Sequence, residues 1–312
     1  MNTVLASIPS PTINDITVGV VTIRFYALFI ILGIILAILV SSLRLKARGA
    51  TAGIAVDVAI WAVPFGIIGG RAFHVLTHLN DYFGAGKDPM SVFYVWEGGL
   101  AIYGGLIFGA VGAYLGARSS GIRFMAYADA LAPGLLLAQG IGRWGNYFNS
   151  ELFGTPTTAP WGLQIDPTNP AWPVGLPAGT LMQPTFLYES LWDLAGVGIL
   201  LLLERKFRLQ WGKTFAAYLV IYSLGRSFIE PLRLDPANIF LGIRTNEWSA
   251  ILGVVLGLVV FYLVNKRHTG LELTPYLPGR APVAADAEAD ALPAIGSDDV
   301  EYSTDEVDSK SE

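Results

Sequence analysis

Long apolar stretches separated by short polar connections run through most of this sequence. A helix needs about 20 apolar residues to cross the hydrocarbon core of a membrane. Seven stretches reach or approach that length, so the pattern predicts an all-α integral membrane protein with seven transmembrane helices. The predicted helices cover residues 24–43, 54–73, 100–117, 124–144, 184–203, 215–229 and 248–264.

Positive charges are distributed unevenly over the connections between these stretches. Short cytoplasmic loops collect lysine and arginine. The connections after the first, third, fifth and seventh stretches carry most of them, so we expect the N-terminus outside the cell and the C-terminus inside. The basic residues on the predicted inner side are Arg44, Lys46, Arg48, Arg118, Arg123, Arg205, Lys206, Arg208, Lys213, Lys266 and Arg267.

Two segments differ in composition from the rest of the chain. Residues 147–183 contain six prolines, a density that blocks regular helix and sheet. We expect an extracytoplasmic loop there, either a lid over a site or a surface loop with tryptophan anchors at the lipid interface. Residues 276–312 are rich in Asp, Glu, Ala and Ser, which predicts a disordered acidic cytoplasmic tail after a membrane domain of residues 1–275.

The overall composition excludes several classes of protein. Of the 312 residues, 53% are hydrophobic and only 14% are charged, whereas soluble proteins carry about 25% charged residues. The chain has no cysteine, which excludes disulfides, cysteine-ligated metals and a cysteine nucleophile. Any thiol chemistry must therefore use a thiol of the substrate. The formal charge of −5 combines −9 in residues 281–312 with +4 in the remainder.

Charged side chains inside membrane helices are costly and are therefore candidates for function. Arg71, Arg143 and Arg226 lie in apolar stretches, and a rise of about 1.5 Å per residue places all three in the outer half of the membrane. A guanidinium group binds phosphate oxygens in pairs, so we expect a site for a lipid phosphate. The alternative is that these arginines reach lipid headgroups or fix helix ends. Other polar residues expected at this level are Tyr26, Tyr103, Glu189 and Glu230. Glu230 follows Arg226 by four residues, which predicts that both lie on one helical face and that Glu230 holds Arg226 in place.

Residues 142–154 form the most informative segment of the sequence. They read Gly-Arg-Trp-Gly-Asn-Tyr-Phe-Asn-Ser-Glu-Leu-Phe-Gly and combine an arginine, two amides and a carboxylate with small glycines. The segment resembles the signature of the prolipoprotein diacylglyceryl transferase family, G-R-x-G-N-F-x-N-x-E-x-x-G, from which only Tyr147 departs. The resemblance continues at residues 24–26, 69–71, 96–99 and 222–233.

The resemblance implies a multi-pass enzyme of the bacterial cytoplasmic membrane. Members of this family transfer the diacylglyceryl group of phosphatidylglycerol to the thiol of the lipobox cysteine in prolipoprotein signal peptides. A thioether forms and glycerol phosphate leaves, in the first step of lipoprotein lipidation. We therefore expect phosphatidylglycerol, lipobox peptides and membrane lipids as partners, with no nucleic acid, metal or other cofactor.

The resemblance also implies roles for individual residues. Arg143 and Arg226 would hold the phosphodiester and stabilise the charge that develops on the leaving phosphate. Tyr103 stands where family members often have a histidine proposed as the base, and a second family segment loses its histidine and glutamine at residues 183–189. Besides Arg143, the implied substrate-binding residues are Tyr26, Asn146, Asn149, Glu151, Gly154, Glu230 and Arg233.

Three possibilities remain for the group that takes the proton of the substrate thiol. Tyr103 is one, although tyrosine is a poor base near neutral pH unless positive charges lie close to it. His74 and His78 follow Arg71 and could lie at the edge of the site. The arginines could also favour the thiolate directly, without a base. The two histidines alone make a weak metal site, because they lack an obvious third ligand.

Other functions fit parts of the pattern. A transporter for an anionic solute needs polar residues at both membrane faces, but the inner halves of the predicted helices offer only Asp57 and Asp129. A lipid-binding protein without catalysis fits the composition, and only the signature segment argues against it. A retinal protein is excluded, because no lysine lies within a predicted helix. Asp193 lies deeper in its stretch, and no role is predicted for it.

Overall fold

The computed structural model of the protein describes residues 7–19, 21–84, 86–235 and 239–282. Within these residues the chain forms eight α-helices and two antiparallel hairpins. The helices are α1 (Phe25–Ala47), α2 (Ile54–Thr77), α3 (Leu79–Phe83), α4 (Ile102–Ser119), α5 (Phe124–Phe148), α6 (Thr185–Phe207), α7 (Lys213–Ile229) and α8 (Thr245–Arg267). The hairpins pair β1 (Asp15–Val18) with β2 (Val21–Arg24) and β3 (Ile239–Phe240) with β4 (Ile243–Arg244). Short 3-10 segments cover Pro89–Phe93, Val95–Glu97 and Glu230–Leu232.

Seven of the described helices, all except α3, coincide with the seven apolar stretches of the sequence. Five of them, α1, α2, α5, α6 and α8, are long and apolar enough to cross a membrane. The helices α4 and α7 span 18 and 17 residues. The apolar pattern thus located the long helices, but it missed α3 and both hairpins, because elements this short show no hydrophobic period.

Helix α5 is the most buried of the five candidate spans. In its most apolar window 56% of the residues are buried, against 11% in α8. Helix α5 packs against α1, α6 and α7, while α2 pairs with α4 and α7 pairs with α8. The bundle exposes many large apolar side chains, such as Ile60, Leu202 and Tyr262, as expected for helices that face lipid.

Helices α2 and α4 lie close together because glycines line both of them. An added Cβ at Gly112 would lie 2.6 Å from the carbonyl oxygen of Trp61, and one at Gly104 would overlap the backbone of Gly69. Small residues allow membrane helices to approach this closely. Gly104 therefore serves helix packing, and the same contact fixes Tyr103 at the start of α4.

The connection between α5 and α6 covers one end of the bundle, which we call the outer end in line with the predicted orientation. Residues 149–184, all of them described, form no helix or longer strand, only isolated bridges such as that between Pro156 and Met182. The absence of regular structure in this connection agrees with its proline content, although α5 continues to Phe148, two residues into the predicted loop. The connection is nevertheless packed around a small apolar cluster: Phe153, Leu163, Ile165, Met182 and Phe186.

The chain after α8 runs back across the opposite, inner end of the bundle. Tyr276 is buried, and its hydroxyl oxygen accepts a hydrogen bond of 2.8 Å from the backbone N–H of Thr51. The Trp211 indole donates to the carbonyl oxygen of Gly270 at 2.9 Å. We call residues 268–282 the C-terminal clasp, because they join the connections between the helices. The predicted start of the acidic tail at residue 276 falls within the clasp, and residues 283–312 lie outside the described residues.

Candidate functional site

Two arginines from different helices bind one carboxylate at the outer end of the bundle. Arg143 lies near the end of α5, Glu189 in the second turn of α6, and Arg226 near the end of α7. The Arg143 Nε atom lies 2.6 Å from Glu189 Oε2, and the Arg226 Nη1 atom lies 2.7 Å from Glu189 Oε1. The two arginines predicted to hold a phosphate are therefore brought together, with Glu189 between them.

Glu230 forms the second centre of this cluster. Its side chain is fully buried, and Arg226 Nη2 lies 2.6 Å from its Oε2 atom. Arg244 Nε and Asn246 Nδ2 each lie 3.0 Å from its Oε1 atom. Arg226 thus bridges Glu189 and Glu230, and the spacing of four residues between Arg226 and Glu230 puts them on one helical face, as the sequence predicted.

Arg233 extends the cluster into the connection that leads to α8. Its Nε atom lies 2.6 Å from Asp235 Oδ1, and its Nη1 atom lies 3.6 Å from Glu189 Oε1. Arg244 donates a hydrogen bond of 2.9 Å to the Arg233 carbonyl oxygen and lies 3.4 Å from Asp235 Oδ2. We call these residues together the outer network: Arg143, Glu189, Arg226, Glu230, Arg233, Asp235 and Arg244.

The outer network taken by itself contains four arginines and three carboxylates. Most of these side chains are largely buried, and an uncompensated buried charge costs several kcal/mol, on the order of 3–5. The buried Asp193 carboxyl lies in the same cavity as Arg143, so arginines and acidic side chains are equal in number at this site. A phosphate that binds the guanidinium groups must therefore displace a carboxylate from them.

Asp193 lies one turn further along α6 than Glu189 and lines a narrow cavity. Arg143, Tyr222 and Arg226 line the same cavity. The side chain of Asp193 is 3% exposed, and its Oδ2 atom is buried without a hydrogen-bond partner among the described residues. No role was predicted for Asp193 from the sequence, and its place beside Arg143 makes it the inner wall of the candidate site.

The signature segment 142–154 folds the chain sharply at the end of α5. Ser150 and Leu152 adopt positive φ angles of 49° and 58°. This turn carries Glu151 back toward α5, where its Oε1 atom accepts from Asn146 Nδ2 at 2.8 Å and from Asn149 Nδ2 at 3.4 Å. Three predicted site residues are therefore in one hydrogen-bonded group.

Gly154 is placed where three segments of the chain meet. Its N–H donates to the Gln183 carbonyl oxygen at 2.9 Å, and it forms an isolated bridge with Arg233. An added Cβ would lie 2.7 Å from both Gln183 Cβ and the Leu232 carbonyl oxygen. A larger residue at this position would force the loop away from Arg233, which explains the need for glycine.

Tyr26 and Tyr103 have different surroundings. Tyr26, in the first turn of α1, packs beside Gly145 and is close enough to Arg143 and Glu151 to interact with them electrostatically. Tyr103 is 44% exposed, and its hydroxyl oxygen lies 2.7 Å from Ser249 Oγ on α8. Among the described residues, no hydrogen bond joins Tyr103 to the outer network.

Arg71 does not join the outer network, contrary to the expectation that three arginines converge. Its guanidinium group donates to the carbonyl oxygens of Val92 at 2.7 Å, of Gly98 at 2.7 Å and of Gly99 at 3.2 Å, and also to that of Ser91. Arg71 therefore organises the loop before α4. The nearby rings of His74 and His78 stack on each other at a centroid distance of 4.4 Å.

Four members of the site were not predicted from the sequence: Asp193, Asp235, Arg244 and Asn246. A usable signal was present, because residues 244–247 read Arg-Thr-Asn-Glu directly before an apolar helix. Polar residues at the outer end of a membrane helix are natural neighbours of a site located there.

Known proteins resemble the chain over most of its length. The model of a family described as prolipoprotein diacylglyceryl transferase matches residues 13–263. A phosphatidylglycerol–prolipoprotein diacylglyceryl transferase of Leifsonia xyli subsp. xyli is 51% identical over 302 residues, covering 93% of this chain and 90% of that protein. Proteins of the same name from Paenarthrobacter aurescens and Streptomyces coelicolor (transferase 2) are 49% and 47% identical over 267 and 280 residues. These alignments cover 83% and 88% of this chain, and 84% and 86% of the relatives.

Proposed function

Because the chain belongs to the prolipoprotein diacylglyceryl transferase family, we propose that its outer network binds the phosphodiester of phosphatidylglycerol. The chain is a transferase of the bacterial cytoplasmic membrane. It moves the diacylglyceryl group of phosphatidylglycerol to the lipobox cysteine of prolipoproteins, the first step of lipoprotein lipidation.

The observation that carries the assignment is the sharing of Glu189 by Arg143 and Arg226. Both guanidinium groups already point at one two-oxygen anion, and a phosphodiester presents the same pair of oxygens. When the lipid enters, its phosphate takes the place of the Glu189 carboxylate between the two arginines. Arg226 stays in position, because Glu230 holds its Nη2 atom.

The transfer exchanges one bond at a glycerol carbon. The substrate sulfur attacks the carbon that bears the phosphate, the C–S bond forms, and the C–O bond to the phosphate breaks with its electron pair on oxygen. The product is a thioether, and glycerol phosphate leaves with additional negative charge. Arg143 and Arg226 stabilise this charge in the transition state, where a positioned donor contributes a rate factor of about 10² to 10³.

The remaining site residues hold the headgroup and the arginines. Glu151, fixed by Asn146 and Asn149, offers acceptor oxygens to the glycerol hydroxyls, and Tyr26 closes this side of the site. Glu230 and Arg233 support Arg226 and Glu189 from the second side. Gly154 contributes indirectly, because its small size allows the loop to pack close to Arg233.

In this proposal the ionised hydroxyl group of Tyr103, a phenolate, takes the thiol proton and becomes neutral. Its side chain is exposed at the start of α4, so a peptide arriving at the outer end has access to its hydroxyl group, which is hydrogen-bonded to Ser249. His74 and His78 are a weaker choice, because His74 Nδ1 is 2.9 Å from the Tyr82 hydroxyl and His78 Nδ1 is 2.9 Å from Thr77 Oγ1.

We also propose that all seven long helices cross the membrane, with the N-terminus outside. Two observations support this orientation. The outer network lies where α5 and α7 end and α6 begins, and the basic residues lie at the opposite ends. The lipid phosphate then enters from the outer leaflet.

The test uses purified protein in detergent, phosphatidylglycerol and a synthetic lipobox peptide. Mass spectrometry should detect the peptide plus one diacylglyceryl group, and a peptide with serine in place of cysteine should stay unmodified. The Arg143→Ala variant should bind the peptide but modify it about a hundredfold to a thousandfold more slowly. Lipid binding without any peptide modification by the wild-type chain would instead support a lipid carrier or transporter.

A further inference from the structure

A second cluster of arginines surrounds a cleft at the inner end, far from the outer network. The cleft lies between the C-terminal ends of α1 and α6, has a volume of about 360 Å³, and is open to the surroundings. We call it the inner cleft. Its charged lining consists of Arg44, Arg48, Glu204, Arg205 and Arg208.

We propose that the inner cleft binds the phosphate headgroup of an anionic phospholipid from the cytoplasmic leaflet. Four guanidinium groups face one carboxylate in this lining, so the cleft carries a surplus of positive charge. Glu204 is already neutralised, because Arg44 Nη2 and Arg48 Nη2 each lie 2.7 Å from its oxygens. The site is distinct from the outer network, which lies at the other end of α6.

Three guanidinium groups in the cleft have bonding capacity left. Arg205 and Arg208 are exposed, and no acidic side chain among the described residues forms an ion pair with either of them. The Nη1 atom of Arg48 is buried and has no hydrogen-bond partner among the described residues; the Asp129 Oδ2 atom lies 3.8 Å from it. A phosphate would satisfy these donors with charge-assisted hydrogen bonds.

The rest of the lining favours a lipid over a free phosphate. Ala47, Leu209 and Leu271 give the cleft an apolar wall beside the arginines. The cleft lies where α1 and α6 end. Since we propose that both helices cross the membrane, this level is the membrane boundary, where glycerol and acyl chains continue from a headgroup. The cytoplasmic leaflet is rich in anionic lipids, and basic pockets between membrane helices on the cytoplasmic side bind their headgroups.

The acidic tail is the competing occupant, since residues 283–312 contain ten acids and one lysine. The position of the last described residues argues against it. Arg280 packs beside Gly121 in the connection between α4 and α5, rather than beside α6. The tail also offers few large apolar side chains for the wall of the cleft.

The experiment titrates the full chain in detergent with dioleoyl phosphatidylglycerol and counts bound lipids by native mass spectrometry. In the double variant Arg205→Ala/Arg208→Ala, the affinity of one lipid-binding event should fall about tenfold, because each cation at the membrane surface contributes to anionic lipid binding. The matched control, Lys266→Ala/Arg267→Ala, removes two exposed charges at the inner end of α8, outside the cleft. It should change the affinity of that lipid-binding event by less than twofold. Phosphatidylcholine should not bind in its place.

Four results would overturn the proposal. An equal loss in both double variants would mean that only the overall charge attracts the lipid. Binding unchanged in Arg205→Ala/Arg208→Ala would exclude the cleft. Displacement of the bound lipid by millimolar inorganic phosphate would assign the cleft to the free ion. Tenfold tighter lipid binding after truncation at Pro282 would assign it to the acidic tail. Because the loss should be the same in an Arg143→Ala background, the result does not depend on the assignment of the outer network.

Discussion

The two ends of the bundle contain the same charged residue types, but these residues bind different partners. At the inner end, Asp129 accepts from the backbone N–H groups of Gly212 at 2.8 Å and Phe215 at 2.9 Å, at the start of α7. Arg44 donates to the carbonyl oxygens of Ala130 at 3.0 Å and of Asp129 at 3.1 Å. Arg44 also pairs with the Glu204 carboxylate at 2.7 Å, so the inner end combines main-chain and side-chain partners. At the outer end, the partners of Arg143 and Arg226 among the described residues are all side-chain carboxylates.

This difference separates charges that hold the fold from charges that can exchange a partner. A buried charge bonded to main-chain atoms cannot leave without exposing unpaired backbone groups. In the proposed function, by contrast, the Glu189 carboxylate rotates away when a phosphate takes its place between the two arginines. Arg71 follows the inner pattern although it lies at the outer end, since it binds carbonyl oxygens of the loop before α4. Partner type, not depth in the membrane, therefore distinguishes the two roles.

The largest effect is expected for Arg143→Ala. Removing one preorganised guanidinium from the leaving phosphate should lower kcat/KM about a hundredfold to a thousandfold. Glu189 keeps its bond to Arg226, so the thermal unfolding temperature should change little. The measurement is the rate of peptide modification by mass spectrometry, with unfolding followed by circular dichroism. Arg143→Lys keeps the positive charge but loses the paired N–H donors of the guanidinium group, so its activity should lie between those of the wild type and Arg143→Ala. If Arg143→Ala kept activity within threefold of wild type, Arg143 would have no role in stabilising the leaving phosphate.

Asp129→Ala should produce the opposite result, a large loss of stability with little change in the activity of the folded protein. The change leaves the buried N–H groups of Gly212 and Phe215 without their acceptor and removes the negative charge 3.8 Å from the Arg48 guanidinium, which should cost about 3–5 kcal/mol of stability. The modification rate per folded molecule should stay near wild type. Asp129→Asn retains one acceptor oxygen and should destabilise less. A stable but inactive Asp129→Ala protein would mean that the inner end takes part in catalysis, and the comparison would fail.

Tyr103→Phe tests the proposed proton acceptor and should have a smaller effect. Loss of the hydroxyl should lower kcat about tenfold or more, and the remaining rate should rise more steeply with pH as thiolate forms without help. Ser249→Ala serves as the control, because it removes the partner of the hydroxyl group but keeps the hydroxyl itself. Full activity of Tyr103→Phe at neutral pH would leave the arginines as the source of the thiolate.

The sequence predicted those parts of the molecule that depend on local spacing. The apolar lengths located the seven long helices, and the i,i+4 spacing of Arg226 and Glu230 gave their ion pair. The role of Arg71 and the membership of Arg244 depend instead on how the loops fold back over the helix ends. Arg244 reaches Glu230 across 14 residues that include a hairpin, a contact that no helical period encodes.

The C-terminal clasp offers the smallest effect and the clearest pH dependence. Burial raises the pKa of the Glu272 carboxyl above its ordinary value, while the guanidinium groups of Arg123 and Arg48 act in the opposite direction. A carboxyl with a raised pKa contributes stability that is complete below the unfolded pKa and is lost as pH rises through the folded pKa.

The clasp should therefore be docked more firmly in mild acid than at neutral pH. Amide exchange of residues 268–282 should slow slightly as pH falls through the folded pKa of Glu272, after correction for the intrinsic pH dependence of exchange. Glu272→Gln should flatten this dependence, because the neutral amide has no proton to gain, although it gives up the pair with Arg123 at 3.1 Å. The modification rate should be unaffected in both cases, since the clasp binds the inner connections only.

Faster exchange in acid would show that the ion pair with Arg123 outweighs the cost of burying the charge. Glu272 would then resemble Glu189 at the outer end, a carboxylate held mainly by its arginines.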